Sequence, residues 1–339
     1  MPPPYPLVGR MKEYIVRKIL HNLLTLFAIV TTLFILFHVL PIDTTEQVIS
    51  QALDETSRHR LTQAFGLNKP MYVQYVFYLR NMVTFEWGHS FSSSKKVFDI
   101  LQDRFWNTII LMGAGLCLTL MIGTGLGMIM AWRVNRPSGM AGSLSAIVIQ
   151  SMPPFVIALL LLMVLSYRLD FFPTGGMHTP GITPGKGLVS FVSLDFLYHL
   201  ILPTITLIIY YLATLLLIIR YKMLEVIDSD FVLMARAKGL APHLVIFKHA
   251  ARNAIMAVAA LSSPMIGFAV SGQLSVEQAF NWPGLGKLLV QSAASHDYPV
   301  LQATFFVLAA LIIFLNLVTD ISYSYLNPRI KIEGGSFAI

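Results

Sequence analysis

Long apolar stretches alternate with polar loops along the whole sequence. Six of these stretches have the length that a helix needs to cross a bilayer core of about 30 Å. They cover residues 19–40, 107–131, 144–167, 197–219, 254–276 and 301–325. This pattern predicts an all-α integral membrane protein with six transmembrane helices.

The loops between the predicted spans differ in their content of lysine and arginine. Fourteen of the 24 basic residues fall in the N-terminus, the loops 132–143 and 220–253, and the C-terminal tail. Most of the others lie in the loop 41–106, which is long enough to escape the positive-inside rule. Both termini and the loop 220–253 are therefore predicted to be cytoplasmic. The first span is too long for a signal-peptide core, so we expect it to be retained.

The composition also favours a membrane protein. Only 12% of the residues are charged, whereas soluble domains carry about 25%. A net charge of +7 would suit a nucleic-acid partner, but the basic residues are sorted between loops, so we expect none. The single cysteine, Cys117, lies inside an apolar stretch and excludes an intrachain disulfide.

The outer loop 41–106 contains a predicted surface helix that starts near Pro70. Four aromatic residues in or after it suit two roles, anchoring at the membrane interface or packing within a small outer subdomain. They are Tyr72, Tyr75, Tyr78 and Trp87. The sequence leaves both roles open.

Ionisable residues are rare inside the predicted spans, where an unpaired charge is expensive. Asp320, with Asn316 one turn before it, is the candidate for a proton relay, and its alternative role is a structural pair with another helix or a nearby cation. The histidines lack metal-ligand spacing and no H-E-x-x-H motif occurs. We therefore expect no catalytic residue and no metal site.

Two glycine patterns need to be separated from nucleotide-binding motifs. Gly123, Gly125 and Gly127 lie in mid-span without a preceding strand, which favours close helix packing. The stretch "WPGLGKLL" around Lys287 lacks the first glycine and the Ser or Thr of a P-loop. No cofactor site is expected in this chain.

Prolines interrupt three of the predicted spans. Pro153 and Pro154 break the third span, Pro203 the fourth and Pro264 the fifth. Each break frees backbone carbonyls that must be buried in protein or line a wet cavity. The breaks suggest a translocation path, and simple kinking without a path is the alternative.

The basic segment 230–255 between the fourth and fifth spans predicts two short helices joined by a tight turn. Residues 228–230 can cap a helix from about Phe231 to Lys238. Gly239 then ends that helix and Pro242 starts the next one. On the cytoplasmic side, this segment fits either anionic lipid or a groove in a partner protein.

Several short motifs follow one another along the chain: "LFHVLP", "FGLNKPMYVQYVFYL", "FPTGG", "ARAKGL", "FNWPGLGKLLVQSA", "DYPVLQA" and "NPRIK". In this order they resemble the type I ABC importer permeases of the oligopeptide, dipeptide and nickel family, over nearly the whole chain. The chain is similar to the first permease of the pair, which has a long outer loop after its first span. The resemblance implies the type I ABC importer transmembrane fold with an extracytoplasmic loop subdomain.

This resemblance also divides the chain. It implies a cytoplasmic N-terminus and first helix (1–40), an extracytoplasmic loop subdomain (41–106), a five-helix permease core (107–325) with a cytoplasmic coupling loop (220–253), and a cytoplasmic tail (326–339).

The motif "ARAKGL" resembles the part of the family's coupling helix that docks into a cleft on an ATP-hydrolysing subunit. The residues implied are Ala235, Arg236, Ala237, Lys238, Gly239 and Leu240. The chain departs from the family where Leu233 replaces a glutamate, where Ala257 stands in place of a frequent proline, and at Ile42 in the first outer turn.

The motif "WPGLG" resembles the loop near the extracytoplasmic mouth, which meets the binding protein or the gate. The residues implied are Trp282, Pro283, Gly284 and Gly286. A simple reverse turn with its tryptophan at the membrane interface is the alternative.

The resemblance implies a non-catalytic permease subunit in the cell membrane. Its implied partners are a second permease, two subunits that bind ATP and Mg, and an extracytoplasmic binding protein. Di- and oligopeptides are the expected substrates, and oligosaccharides or nickel complexes are the alternatives. A proton-coupled secondary transporter centred on Asp320, or a passive channel or structural membrane protein, would be a different class of function.

Overall fold

The computed structural model of this chain describes residues 7–39, 69–134, 136–182, 191–227, 229–245, 270 and 272–326. Helices dominate this part of the chain. The β-type contact within it is a single antiparallel bridge between His89 and Lys96. The predicted all-α fold class is confirmed for the described residues.

The main helices differ widely in length, because some cross the membrane and others connect those that do. In chain order they are α1 (Leu7–Val39), α2 (Met71–Thr84), α3 (Val97–Trp132), α4 (Pro137–Gln150), α5 (Pro154–Leu161), α6 (Leu194–Ile227), α7 (Asp230–Ala237), α8 (Leu285–Ala294) and α9 (Tyr298–Leu326). A π-helical segment, Leu162–Arg168, continues α5. Residues 242–244 and 272–279 form shorter helical stretches.

Four helical segments of the described chain are long and apolar enough to cross a membrane. They are Ile15–Phe37, Val97–Trp132, Leu194–Ile227 and Tyr298–Ser322. A fifth crossing results if α4 and the segment Pro154–Arg168, which meet at a bend of 104°, form one broken span. Five of the six predicted spans thus have a helical counterpart. Most of the predicted span 254–276 lies outside the described residues.

The chain divides into two compact units. The first unit comprises Met1–Thr108 and Gly284–Phe314, and the second comprises Ile109–Pro283 and Leu315–Ile339. The division expected from the resemblance, with boundaries after residues 40, 106 and 325, stays a prediction.

In the first unit, the aromatic residues of the outer loop pack against α1. The hydroxyl groups of Tyr75 and Thr31 lie 2.7 Å apart, and the rings of Tyr75 and Tyr78 lie 5.0 and 5.4 Å from that of Phe34. Trp87 is also buried, whereas Tyr72 is 73% exposed. Tyr75, Tyr78 and Trp87 therefore pack within the chain, and of the four aromatic residues only Tyr72 is exposed enough to anchor at the membrane interface.

In the second unit, α3 packs closely on α6 through glycines. A Cβ at Gly123 would lie 2.6 Å from Leu215 Cδ2, and one at Gly127 would lie 2.8 Å from Ile219 Cβ. A Cβ at Gly125 would meet no atom within 4 Å. Close helix packing is confirmed for Gly123 and Gly127, whereas Gly125 lies on another face of α3 and meets none of the described residues.

Candidate functional site

The predicted docking segment forms a short helix, α7, that starts and ends close to the expected residues. Ser229 precedes it with an extended backbone, and Asp230 places a carboxylate in its first turn. Arg236 lies in its last turn, where a cation is favoured by the helix dipole. The helix predicted over residues 231–238 is therefore confirmed within one residue at each end.

Gly239 ends α7 in the left-handed conformation, with φ of 75°. Its N–H donates to the carbonyl of Arg236 at 2.9 Å, and the N–H of Leu240 donates to the carbonyl of Ala235 at 3.4 Å. This pair of bonds is the Schellman arrangement, which satisfies the last carbonyls of a helix. The chain needs glycine here because a side chain would be strained at this φ.

The second predicted helix begins at Pro242, where a helical stretch covers Pro242–Leu244. The continuation of this helix from residue 246 onwards lies outside the described residues, and so does Ala257. Val245 is buried, so the chain packs on its own unit immediately after the turn.

One face of α7 packs on its own chain and the other is open. Val232 and Ala235 are buried. The open side mixes apolar and basic side chains, all at least one third exposed: Phe231, Leu233, Met234, Arg236, Lys238, Leu240 and Leu244. Leu233, which replaces the family's glutamate, belongs to this open side. Such a surface is chemically suited to a groove with an apolar floor and an acidic rim.

The outer motif begins in the second unit with an anchored tryptophan. Trp282 is fully buried, its N–H donates to the carbonyl of Glu277 at 2.8 Å, and its ring lies 5.6 Å from that of Phe196. The alternative that places Trp282 at the membrane interface is therefore wrong. Pro283 follows it and is partly buried.

The outer motif continues in the first unit, where Gly284 precedes α8 and Gly286 is buried in its first turn. The N–H of Leu285 donates to the Thr108 hydroxyl at 2.7 Å, and both residues are buried. This bond fixes the start of α8 to α3, within one compact unit.

The motif "FPTGG" packs directly on the segment before Trp282. The N–H of Gly176 donates to the carbonyl of Phe280 at 2.8 Å. A Cβ at Gly175 would lie 2.5 Å from the same carbonyl oxygen, a distance that no side chain tolerates. The glycine is required by this close backbone approach, and the two motifs form one structural element.

The prolines of the predicted path behave differently from one another. Pro153 is extended, with φ of −61° and ψ of 146°, and separates α4 from α5, which starts at Pro154. Pro203 is buried inside the continuous helix α6, so the predicted break there is wrong. Pro264 lies outside the described residues.

The polar pair of the last span lies in α9, within the second unit. Asn316 and Asp320 are one turn apart and partly buried, and the Asn316 side-chain oxygen has no hydrogen-bond partner in the described part of the chain. The two roles considered for Asp320, a proton relay or a structural pair, stay predictions.

Comparison with known protein families accounts for this combination of features. The family model described as the binding-protein-dependent transport system inner membrane component matches residues 123–332. A second model, for the N-terminal part of such membrane components, matches residues 11–112. The chain belongs to this family of transport permeases. It is a multi-pass membrane subunit of an ABC importer, and the resemblance drawn from its motifs is confirmed.

Full-length relatives of this permease carry names that refer to peptides. A putative peptide permease of Brucella ovis is 36% identical over 95% of this chain and 100% of its own length. The oligopeptide transport system permease AppB of Bacillus subtilis is 35% identical over 95% of this chain and 100% of its own length. The glutathione transport system permease GsiC of Escherichia coli K12 is 32% identical over 95% of this chain and 99% of its own length.

Glu277 is a functional candidate in this permease that the hydrophobic pattern does not reveal. It is fully buried and accepts a hydrogen bond of 3.0 Å from the Gln273 side chain, one turn earlier. The sequence places it at the edge of an apolar stretch, where a carboxylate suggests an exposed loop. Two polar residues four positions apart, in "GQLSVEQAF", are the signal that could have identified it.

A second polar cluster of the permease lies where the segment after "FPTGG" meets the start of α6. The Asp195 carboxylate accepts hydrogen bonds from the Thr179 hydroxyl at 2.6 Å, the Thr179 N–H at 3.0 Å and His178 Nδ1 at 3.2 Å. His199 is buried, and its Nδ1 bonds the Asp195 carbonyl at 2.8 Å. This cluster holds the outer segment on α6 and cannot be found from spacing, because 16 residues separate Thr179 from Asp195.

Proposed function

We propose that this permease forms half of the translocation path for di- and oligopeptides, which an extracytoplasmic binding protein delivers. Peptide transport is supported by the names of three relatives that align with nearly the whole chain. These names favour peptides over oligosaccharides or nickel complexes. The other half of the path would come from a second, homologous permease.

The source of energy lies outside this chain in our proposal. An importer that concentrates its solute about a thousandfold needs about 4 kcal/mol. The chain has no P-loop sequence, so two partner subunits would bind ATP and Mg and carry out hydrolysis. The permease itself would be non-catalytic and hold no cofactor.

The observation that carries the coupling proposal is the open side of α7 together with the glycine turn that ends it. We infer that the segment 235–240 docks in a cleft of the ATPase subunit through its exposed residues, Arg236, Ala237, Lys238, Gly239 and Leu240, whereas Ala235 is buried within its own chain. Val232 and Ala235 are buried, and α7 contacts α6. Movement of the ATPases on ATP binding would therefore be transmitted to α6, which leads directly into α7.

This proposal requires α7 to face the cytoplasm, as the loop charges predict. Both termini would then be cytoplasmic, and the segments around Trp282 and Gly175 would be extracytoplasmic. Trp282, Pro283, Gly284 and Gly286 would lie near the mouth that receives the peptide. Pro153 and Pro154 would contribute to the path, where the carbonyls freed by the break can contact water.

The test begins with purification of the tagged chain from its native membrane in mild detergent. Mass spectrometry should identify a second six-span permease and ATPase subunits that carry Walker motifs. The purified complex in proteoliposomes should take up peptide when ATP and binding protein are present, and a proton uncoupler should leave uptake unchanged. Uptake that an uncoupler stops directly, or by the lone chain without ATP, would contradict the proposal and favour a relay at Asp320.

A further inference from the structure

The first unit contains a small hairpin, Gly88–Val97, between α2 and α3, which we call the outer hairpin. Its strands are joined by the N–H of Val97, which donates to the carbonyl of Gly88 at 3.0 Å, and the N–H of Ser90, which donates to the carbonyl of Lys95 at 2.9 Å. The N–H of Ser94 closes the turn by donating to the carbonyl of Ser90 at 3.0 Å. Three backbone hydrogen bonds thus close the outer hairpin at its base and at its turn.

Asp297 fixes the outer hairpin to the start of α9. Asp297 is 97% buried. Its carboxylate accepts hydrogen bonds from the Ser90 hydroxyl at 2.5 Å and from the N–H groups of Phe91 and Ser92 at 3.1 and 3.2 Å. The carbonyl of Asp297 accepts the N–H of Leu301 in the first turn of α9. Hydrogen bonds to a charged acceptor are the strong ones, so the hairpin is held rigidly.

The second strand of the outer hairpin is exposed and basic. Every residue from 92 to 96 is exposed, and the last two are Lys95 and Lys96. Neither lysine makes an ion pair within the described part of the chain. The buried carboxylate of Asp297 therefore holds a loop that presents two lysines, and neither lysine has an ion-pair partner in the described part of the chain.

The height of the outer hairpin above the membrane can be estimated from α3. Trp106, which is 54% exposed, immediately precedes the apolar part of α3 and suits the membrane interface. Ten residues separate it from Lys96, and a helix rises about 1.5 Å per residue, so the hairpin stands about 15 Å further out. The headgroup layer on each side is only about 5–7 Å thick. With α3 along the membrane normal, the lysines would project past the lipid headgroups into water.

We propose that the outer hairpin is a docking element for the extracytoplasmic binding protein, with Lys95 and Lys96 facing an acidic patch on it. This inference rests on the proposed function, which supplies a soluble partner on this side of the membrane. A rigid hairpin loses little conformational entropy on binding. Exposed charges at the edge of an interface mainly raise the association rate and give it a dependence on salt.

The test uses the whole complex of both permeases and both ATPases in nanodiscs of zwitterionic phospholipid. Association of the purified binding protein is followed by biolayer interferometry at low and high salt. The double variant Lys95→Glu with Lys96→Glu should slow association about tenfold and abolish its decrease with salt, while dissociation changes little. The variant Lys95→Gln with Lys96→Gln should have a smaller effect in the same direction.

A matched control reverses two other exposed basic residues of the same unit, Lys69→Glu with Arg80→Glu. This control changes the net charge by the same amount and should leave association close to wild type. Equal slowing in the control would overturn the proposal, because the effect would then be one of overall charge. Unchanged association and salt dependence in the double variant of Lys95 and Lys96 would also overturn it.

Two further outcomes are separated by repeating the measurement in nanodiscs that contain anionic phospholipid and by checking the wild-type complex first. If the double variant slows association only in nanodiscs that contain anionic lipid, the lysines contact headgroups and the docking proposal is wrong. If the ATPases do not assemble with the permease pair, or the wild-type complex does not bind the binding protein, the proposed function itself fails. That second failure is visible before any variant is compared.

Discussion

The Ser90 hydroxyl lies 2.5 Å from the Asp297 carboxylate, although 207 residues separate the two in the chain. Both residues are buried, so the bond is shielded from water. It joins the loop after α2 to the residue that immediately precedes α9. Asp297 belongs to the motif "DYPVLQA", but that motif does not indicate its partner, because Ser90 lies 207 positions away in the chain.

The variant Asp297→Asn should loosen the outer hairpin. An asparagine offers one acceptor oxygen and places an NH₂ group where donors now converge, so a buried N–H loses its partner at a cost of about 1–3 kcal/mol. Hydrogen exchange at Phe91 and Ser92 should become faster by a corresponding factor. Ser295→Ala, which changes an exposed neighbour, is the control and should leave this exchange unchanged. Equal protection in Asp297→Asn and wild type would show that the carboxylate does not hold the hairpin.

The contact between α3 and α6 predicts opposite effects for two neighbouring glycines. Alanine gains about 1 kcal/mol of helix propensity over glycine at either position. At Gly127 the new Cβ would lie 2.8 Å from the branched Cβ of Ile219, so repacking should cost about 1–3 kcal/mol. At Gly125 it would meet no atom within 4 Å.

Thermal unfolding in detergent should therefore show a lower midpoint for Gly127→Ala and an equal or higher midpoint for Gly125→Ala. The second variant controls for helix propensity, because it makes the same chemical change on the same helix. Equal midpoints in the two variants would mean that α3 does not rest on Ile219.

Local backbone chemistry explains which features could be predicted from sequence. Gly239 was identifiable as a turn because a helix end needs a residue with positive φ. The break at Pro153 and Pro154 was also identifiable, because two successive prolines remove two neighbouring donors and force Pro153 into an extended conformation. Pro203 does not break its helix, although a proline inside a helical pattern predicts a break. It removes one donor from a helix of 34 residues, and the remaining bonds and packing keep the helix intact.

Tertiary contacts explain what the sequence could not provide. The membrane interface was the alternative position for Trp282, whose predicted place was the extracytoplasmic mouth, and no sequence pattern indicated that it is fully buried beside Phe196, far away in sequence. Glu277 looked like a loop residue and is fully buried as well. Both positions depend on segments that meet only after folding, such as the approach of Gly175 to Phe280. The conformation of the candidate coupling segment was predictable because it depends on contacts between residues close in sequence. The burial of Glu277 and Trp282 was not, because it depends on contacts between distant segments.

The coupling proposal predicts that Gly239→Pro abolishes transport without removing the membrane fold. Proline fixes φ at about −65°, far from the 75° observed at Gly239. It also removes the N–H that donates to the carbonyl of Arg236. Arg236→Glu should have a similar effect on transport while the turn is preserved. ATP-driven peptide uptake into proteoliposomes is the measurement, with complex assembly checked by size-exclusion chromatography.

Lys222→Gln provides a control for these coupling variants. Lys222 lies in α6 upstream of the docking segment and forms an exposed pair with Glu225, which contributes little to stability. Its replacement should leave uptake close to wild type. Normal uptake in both Gly239→Pro and Arg236→Glu would show that the segment 235–240 does not transmit the energy of ATP.

A last prediction concerns Lys287, which follows the outer motif in α8. Burial first, and the nearby Arg104 cation second, hold the pKa of Lys287 below its usual value of 10.5. An unfolded chain therefore takes up this proton at higher pH than the folded one. The lysine opposes folding fully below its folded pKa, and this penalty disappears as the pH rises toward 10.5.

Arg104→Gln should raise the pKa of Lys287 only part of the way to its usual value, because burial remains the larger cause. Competitive acylation followed by mass spectrometry measures this pKa residue by residue in the intact protein. Arg80→Gln removes a cation from the same unit without facing Lys287 and should leave the pKa where it is. The bond between Leu285 and Thr108 brings α8 to the turn of α3 that follows Arg104. An unchanged pKa of Lys287 in Arg104→Gln would therefore mean that the side chains of Lys287 and Arg104 are further apart than this bond implies.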